Sequence, residues 1–265
     1  MTNPRATPSS TAWTTLLPVL RSAFALALVI VAGAALAQTD VEDAKRYRDC
    51  MALVEKNPDG AFDSALAWQG LGGGEAAEHC LAAALIGLKQ YREGARRLEV
   101  LALHSKGRDA VRVGMLAHAA RAWLLADDPQ RSYDVLTAAI KLNPEDPDLL
   151  IDRAEARAAM KHYPQAVDDL NEALRLDPGH ADAYVFRATA RRFLDDLARA
   201  EADVEKALKI APDHPEGLLE RGILRRLKGD QAGARQDWLA VLHAAPGSAA
   251  AEAAQKNIEM MDVKN

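Results

Sequence analysis

The side chains whose types and spacing are most suggestive of chemistry are six arginines. They come in pairs one helical turn apart, Arg153 with Arg157, Arg187 with Arg191 and Arg221 with Arg225, each pair 34 residues from the next. An acid recurs at the same interval: Asp169, Asp203 and Asp237. A guanidinium meets a carboxylate through two parallel hydrogen bonds, so packing that brings these residues together makes a repeated bidentate pair inside the fold. The other use of such a ladder is to hold an anionic partner. Acids in matching number favour the internal pair.

The remaining reactive residues do not assemble into catalytic motifs. The seven histidines (His79, His104, His118, His162, His180, His214 and His243) are scattered, without a His-x-x-x-His or Cys-x-x-Cys ligand set. His180 and His214 share one repeat position, which duplication explains without a metal. Gly70-Leu71-Gly72-Gly73-Gly74 lacks the Gly-Lys-Ser/Thr ending and the preceding strand of a phosphate loop, and reads as an inter-helix loop. No Gly-x-Ser-x-Gly or paired-acid motif stands out. These absences point to a protein that is not an enzyme, with no catalytic residues, no cofactor and no metal. A formal net charge of -5, without a long basic run or an aromatic platform, argues against nucleic acid as a partner.

The elements that position the arginines repeat with them. Pro144, Pro178, Pro212 and Pro246 stand 34 apart, the length of a helix-turn-helix solenoid unit. Within one unit Leu150, Ala154 and Arg157 recur at helical spacing; after Lys161 and His162 come Tyr163, Ala166, Val167, Leu170, Ala173 and Leu174, a second stripe. Small residues fall where two helices must touch: Ala154, Ala188 and Gly222 in the first helix, Ala166, Ala200 and Ala234 in the second. Each proline ends a second helix because it lacks the amide hydrogen of a further turn.

The Gly or Ala in helix A, Tyr163-x-x-Ala166 opening helix B, the large apolar residue four on and the Leu-Asp-Pro of LRLDP resemble the tetratricopeptide repeat. Arg157, Arg191 and Arg225 depart from it, standing where that family often places an aromatic. The resemblance implies an all-α, right-handed superhelical solenoid of about six helix pairs, with helix A of each unit lining a concave binding face. In that register, positions two, five, nine and twelve of helix A face inward. These are Gly114, Ala117, Arg121 and Leu124 in the third unit, and Asp148, Ile151, Glu155 and Ala158 in the fourth. The fifth contributes Asp182, Val185, Thr189 and Arg192, the sixth Glu216, Leu219, Ile223 and Arg226. A lining of apolar residues flanked by both charge signs suits a protein or extended peptide.

In chain order, residues 1–37 read as a secretory signal peptide: Arg5 and Arg21, the apolar run Ser22 to Leu36, then Ala35-Leu36-Ala37 before Gln38. An uncleaved inner-membrane anchor is the alternative, and the only membrane contact expected. The mature chain is expected to be periplasmic. Residues 38–109 hold degenerate repeats, beginning with Val41 to Trp68, where Asn57-Pro58-Asp59-Gly60 is a turn signal before a short helix Ala61 to Trp68. An exported protein with two cysteines most simply pairs them, so Cys50 and Cys80 are expected to form a structural disulfide; two buried free thiols or a redox pair are the alternatives. Residues 110–246 hold four repeats (110–144, 147–178, 181–212, 215–246), preceded by a loop His104 to Arg108 expected to be longer than the family standard. Residues 247–265 form a capping helix and tail, with Ser248 capping Ala249 to Met261. The expected function is a non-catalytic adaptor for a protein or peptide, within an envelope assembly or secretion complex. A small-ligand-binding accessory protein of a transport system is the second reading, and would need an enclosed pocket.

Overall fold

The computed structural model describes residues 41–262, and the apolar run Ser22 to Leu36 lies outside the described residues. Within them the chain is helical throughout, without strands. Six helix pairs follow one another: α1 (41–56) with α2 (Pro58–Gly70), α3 (Gly74–Gly87) with α4 (Tyr91–His104), and α5 (Asp109–Leu125) with α6 (Pro129–Leu142). Then come α7 (Pro147–Ala159) with α8 (Tyr163–Leu176), α9 (Ala181–Phe193) with α10 (Leu197–Ile210), and α11 (Pro215–Leu227) with α12 (Gln231–Ala244). A single helix, α13 (Ala249–Asp262), closes the stack. No described helix is long and apolar enough to cross a membrane.

Local chemistry sets the helix boundaries. Between the two helices of a unit one residue adopts positive φ, at Asp127, Lys161, Asp195 and Gly229, again 34 apart. Side chains accept the free amides that open helices: Asp146 from Asp148 N at 3.1 Å, Asp230 from Gly233 N at 2.8 Å, and Ser248 Oγ from Ala251 N at 3.1 Å. Asn57-Pro58-Asp59-Gly60 is one such start. Asn57 alone separates α1 from α2; its Oδ1 accepts from Gly60 N at 3.1 Å and Pro58 opens the helix, which therefore begins three residues before Ala61 and runs two past Trp68.

The expectation of a long loop after His104 is corrected. The connection 105–108 has four residues, as do 143–146, 177–180 and 211–214. The extra length lies in α5, whose 17 residues exceed the 13 of α7 by about one turn. Arg112 anchors that turn through Nε, which donates to Ala102 O at 3.1 Å. A whole added turn keeps the inner stripe of α5 facing the core.

Alanine builds the seam between paired helices: Ala154, Ala166, Ala188, Ala200 and Ala234 are all buried. The last unit solves the same contact differently. Gly222 replaces Ala154 and Ala188, while the facing helix-B residue grows from Leu170 and Val204 to Trp238, itself fully buried. A Cβ on Gly222 would overlap the Trp238 indole nitrogen and lie 2.7 Å from its Cδ1. Gly222→Ala is therefore expected to cost about 1–3 kcal/mol by overpacking. In urea unfolding, Trp238→Leu should relieve most of that penalty, and strictly additive costs would refute the account.

Candidate binding groove

Successive A helices pack on one another, α5 with α7, α7 with α9, α9 with α11 and α11 with α13, and no comparable contact joins successive B helices. Helices close together on one side and splayed on the other curve the stack, and the A helices occupy its inner face. At the centre of that face is an open cleft of about 430 Å3 running across α7, α9 and the start of α11. Ile151, Val185 and Phe186 supply its apolar lining. Around them stand Asp148, Asp152, Glu155, Asp182 and Glu216, with Arg121 and His180.

Seven of the groove residues read from the sequence meet in this cleft: Arg121, Asp148, Ile151, Glu155, Asp182, Val185 and Glu216. Others belong elsewhere. Ala117 and Leu124 pack against the core of the third unit, and Leu219 and Ile223 against that of the sixth. Thr189 is half-buried outside the cleft lining, and the Arg226 guanidinium lies 5.9 Å from the Trp238 ring centre. Arg192 is not free for a partner: its Nε donates to Glu220 Oε1 at 2.5 Å and its Nη2 to Oε2 at 3.1 Å, and Glu220 is buried.

The register misses His180, which stands just before α9, and one inner position of helix A, the sixth. Asp152 and Phe186 hold it in the cleft, His118 holds it one unit earlier, and Glu220 receives Arg192 from it one unit later. Position six lies four after position two and three before position nine, so helical spacing alone places it on that face.

The six arginines serve the fold. Arg153 reaches Asp169 through Nε at 3.0 Å and Nη2 at 2.7 Å, Arg187 reaches Asp203 at 2.9 and 2.7 Å, and Arg221 reaches Asp237 at 3.0 and 2.7 Å. The second arginine of each pair adds an ion-pair contact to the same carboxylate: Arg157 at 2.7 Å, Arg191 at 2.5 Å and Arg225 at 2.8 Å. All three aspartates are buried. Each carboxylate ties helix A to helix B of its unit, leaving no arginine ladder for an anion.

The groove carboxylates are less well matched. Arg121, 66 % exposed, comes only to 3.6 Å from Asp152. His180 Nε2 meets Asp148 at 3.0 Å and His214 Nε2 meets Asp182 at 2.7 Å, each bridging to the preceding unit. Burial lifts the Asp152 carboxyl above the usual range; Arg121 opposes this, and the like charges of Asp148 and Asp146 add to it. Burial also raises Glu155, and the Asp152 charge adds to it. Glu155 has open solvent above it, yet protein on the concave side is near enough to strip part of its hydration.

The tetratricopeptide repeat profile matches residues 126–181, 151–215 and 187–249. Residues 126–249 belong to the tetratricopeptide repeat family. Among solved structures, MamA from Desulfovibrio magneticus RS-1 shares 19 % identity at a TM-score of 0.53, covering 66 % of this chain and 97 % of that one. A crystal structure of MamA shares 16 % identity at a TM-score of 0.51, covering 62 % and 94 %. At these identities the likeness is one of fold. No curated protein matches the chain in sequence. The tetratricopeptide repeats make the chain a protein-binding scaffold, and among the described residues no three metal-ligating side chains gather.

Before the profile-matched repeats the same architecture continues, closed by a disulfide between Cys50 on α1 and Cys80 on α3, whose Cα atoms are 6.2 Å apart. Beside it Tyr47 Oη meets His79 Nδ1 at 2.7 Å, and the His79 and His118 rings lie edge to face at 6.5 Å. Burial holds both imidazoles below their ordinary range; for His79 the charge of His118 adds to it, for His118 that of Arg121. With the folded values below the unfolded value of about 6.5, the unfolded chain binds these protons more readily, so stability falls as the pH drops through that value. Thermal melts should show a decline from pH 7 to pH 5 that is shallower in His79→Gln/His118→Gln. Equal slopes would remove the two histidines as its cause.

Proposed function

We propose that this protein is a non-catalytic, exported scaffold that holds a partner protein or extended peptide along its concave face, centred on the cleft of α7 and α9. The observation carrying this reading is the cleft itself: an apolar lining of Ile151, Val185 and Phe186 under a polar rim, on the face where the A helices converge. It is open, which suits a chain laid across it better than a small enclosed ligand. Export is supported by the apolar run Ser22 to Leu36, the small residues Ala35-Leu36-Ala37, and the Cys50–Cys80 bridge, a bond that persists in oxidising compartments.

The test is a crosslinking pull-down from the native cell, comparing wild type with Glu155→Lys/Asp182→Lys, two exposed positions outside the core. Proteins captured by wild type and lost from the folded variant support the scaffold reading. Identical capture by both proteins would exclude this cleft as the working surface.

A further inference from the structure

We infer that the occupant of the α7–α9 cleft is an extended basic segment, with lysine or arginine side chains over the rim carboxylates and an apolar side chain on the lining formed by Ile151, Val185 and Phe186. The inference rests on the scaffold reading and adds the chemistry of the partner. The sequence alone showed both charge signs along the groove. The structure removes two of the three arginines: Arg192 is consumed by buried Glu220 and Arg226 lies beside the Trp238 ring, while the six paired arginines, turned to Asp169, Asp203 and Asp237, add none.

What faces the cleft is then five carboxylates against one loosely placed guanidinium and one imidazole. Glu155 has no ion-pair partner within 4.0 Å among the described residues. Asp182 and Glu216 converge on the single imidazole of His214, at 2.7 and 3.3 Å. Solvation is already reduced at Asp152 and Glu155, where burial resists the ionised form. A cation arriving there replaces lost hydration and offsets repulsion between neighbouring carboxylates, whereas an anionic segment would add to it. The apolar lining gives the same segment a reason to stay, since charges at a rim chiefly set encounter and choice of partner. A basic and apolar chain therefore complements both features of the cleft.

Fluorescence anisotropy with two labelled ten-residue peptides, one alternating lysine and leucine, the other glutamate and leucine, tests this on the oxidised protein. The lysine peptide should bind wild type, weaken as salt rises, and lose about tenfold in affinity to Glu155→Gln/Asp182→Asn. That variant keeps side-chain size, and its urea midpoint reports whether it remains folded. Glu172→Gln, an exposed change on α8, should leave binding unaltered. Equal affinity of wild type and the cleft variant for the lysine peptide, or equal loss in Glu172→Gln, overturns the inference. Binding of the glutamate peptide in preference, lost in the cleft variant, also overturns it while leaving the scaffold reading intact. Partner capture that is insensitive to Glu155→Lys/Asp182→Lys instead excludes this cleft as the working surface, whatever the peptides do.

Discussion

Replacing Asp203 by alanine should destabilise the protein by about 3–5 kcal/mol, because it strands two partly buried guanidiniums at once. Arg187 and Arg191 both direct donors to this carboxylate, which is 1 % exposed, and their own side chains are 12 % and 15 % exposed. Both side chains lie mostly enclosed between α9 and α10, so water can replace the lost carboxylate only in part. The third unit shows that the ion cluster is not obligatory. Ala119, Trp123 and Val135 stand one repeat before Arg153, Arg157 and Asp169, and all three are buried in an apolar core. Well-packed apolar groups and a satisfied ion cluster are therefore alternative solutions to one packing problem. Leaving half of either is costly. Arg187→Leu/Arg191→Leu/Asp203→Leu should accordingly be far less destabilised than Asp203→Ala in urea unfolding. A loss under 1 kcal/mol in Asp203→Ala would mean the arginines find other partners, and that the pairs contribute little.

Reducing the Cys50–Cys80 bond should cost about 3–4 kcal/mol by the loop-closure estimate for a separation of 30 residues. The location makes the effect local as well as large. Cys50 and Cys80 are buried in a small cluster with Ala65 and Leu81, and the bond fixes α1 onto α3 at one end of the described stack. An end helix has a neighbour on one side only, so the tether substitutes for contacts that an inner helix receives from both sides. Hydrogen exchange after reduction should accelerate in α1 and α2 while α7 to α12 keep their protection. An unchanged Tm in reductant would mean that packing alone secures this end.

Most of the fold was legible because repetition amplifies weak local signals. A single Pro144 says little; four prolines at one spacing identify a helix pair and its length. The Arg–Asp pairs were legible for the same reason, since residues that recur together in three units must meet in each. Cleft residues were harder to read. Arg192 and Arg121 share an inward face in the sequence, yet Glu220 captures one and leaves the other exposed, a difference set by an acid one repeat away. Position six escaped notice because it holds His118, Asp152, Phe186 and Glu220 in turn. With no common residue type, only the helical spacing between positions two and nine marked it. The connection after His104 failed for a related reason: a helix lengthened by a whole turn and a lengthened loop shift the register equally, and only the hydrogen bonds of α5 distinguish them.

The proposed working surface is the inner face of the A helices. A photoreactive amino acid placed singly at Glu155 or Asp182 in the cleft, and at Glu172 or Arg175 on the outer helix α8, tests it in the native cell. Specific protein adducts are expected from the two cleft positions and none above background from α8. Adducts confined to Glu172 and Arg175 would contradict it and move the working surface to the convex side.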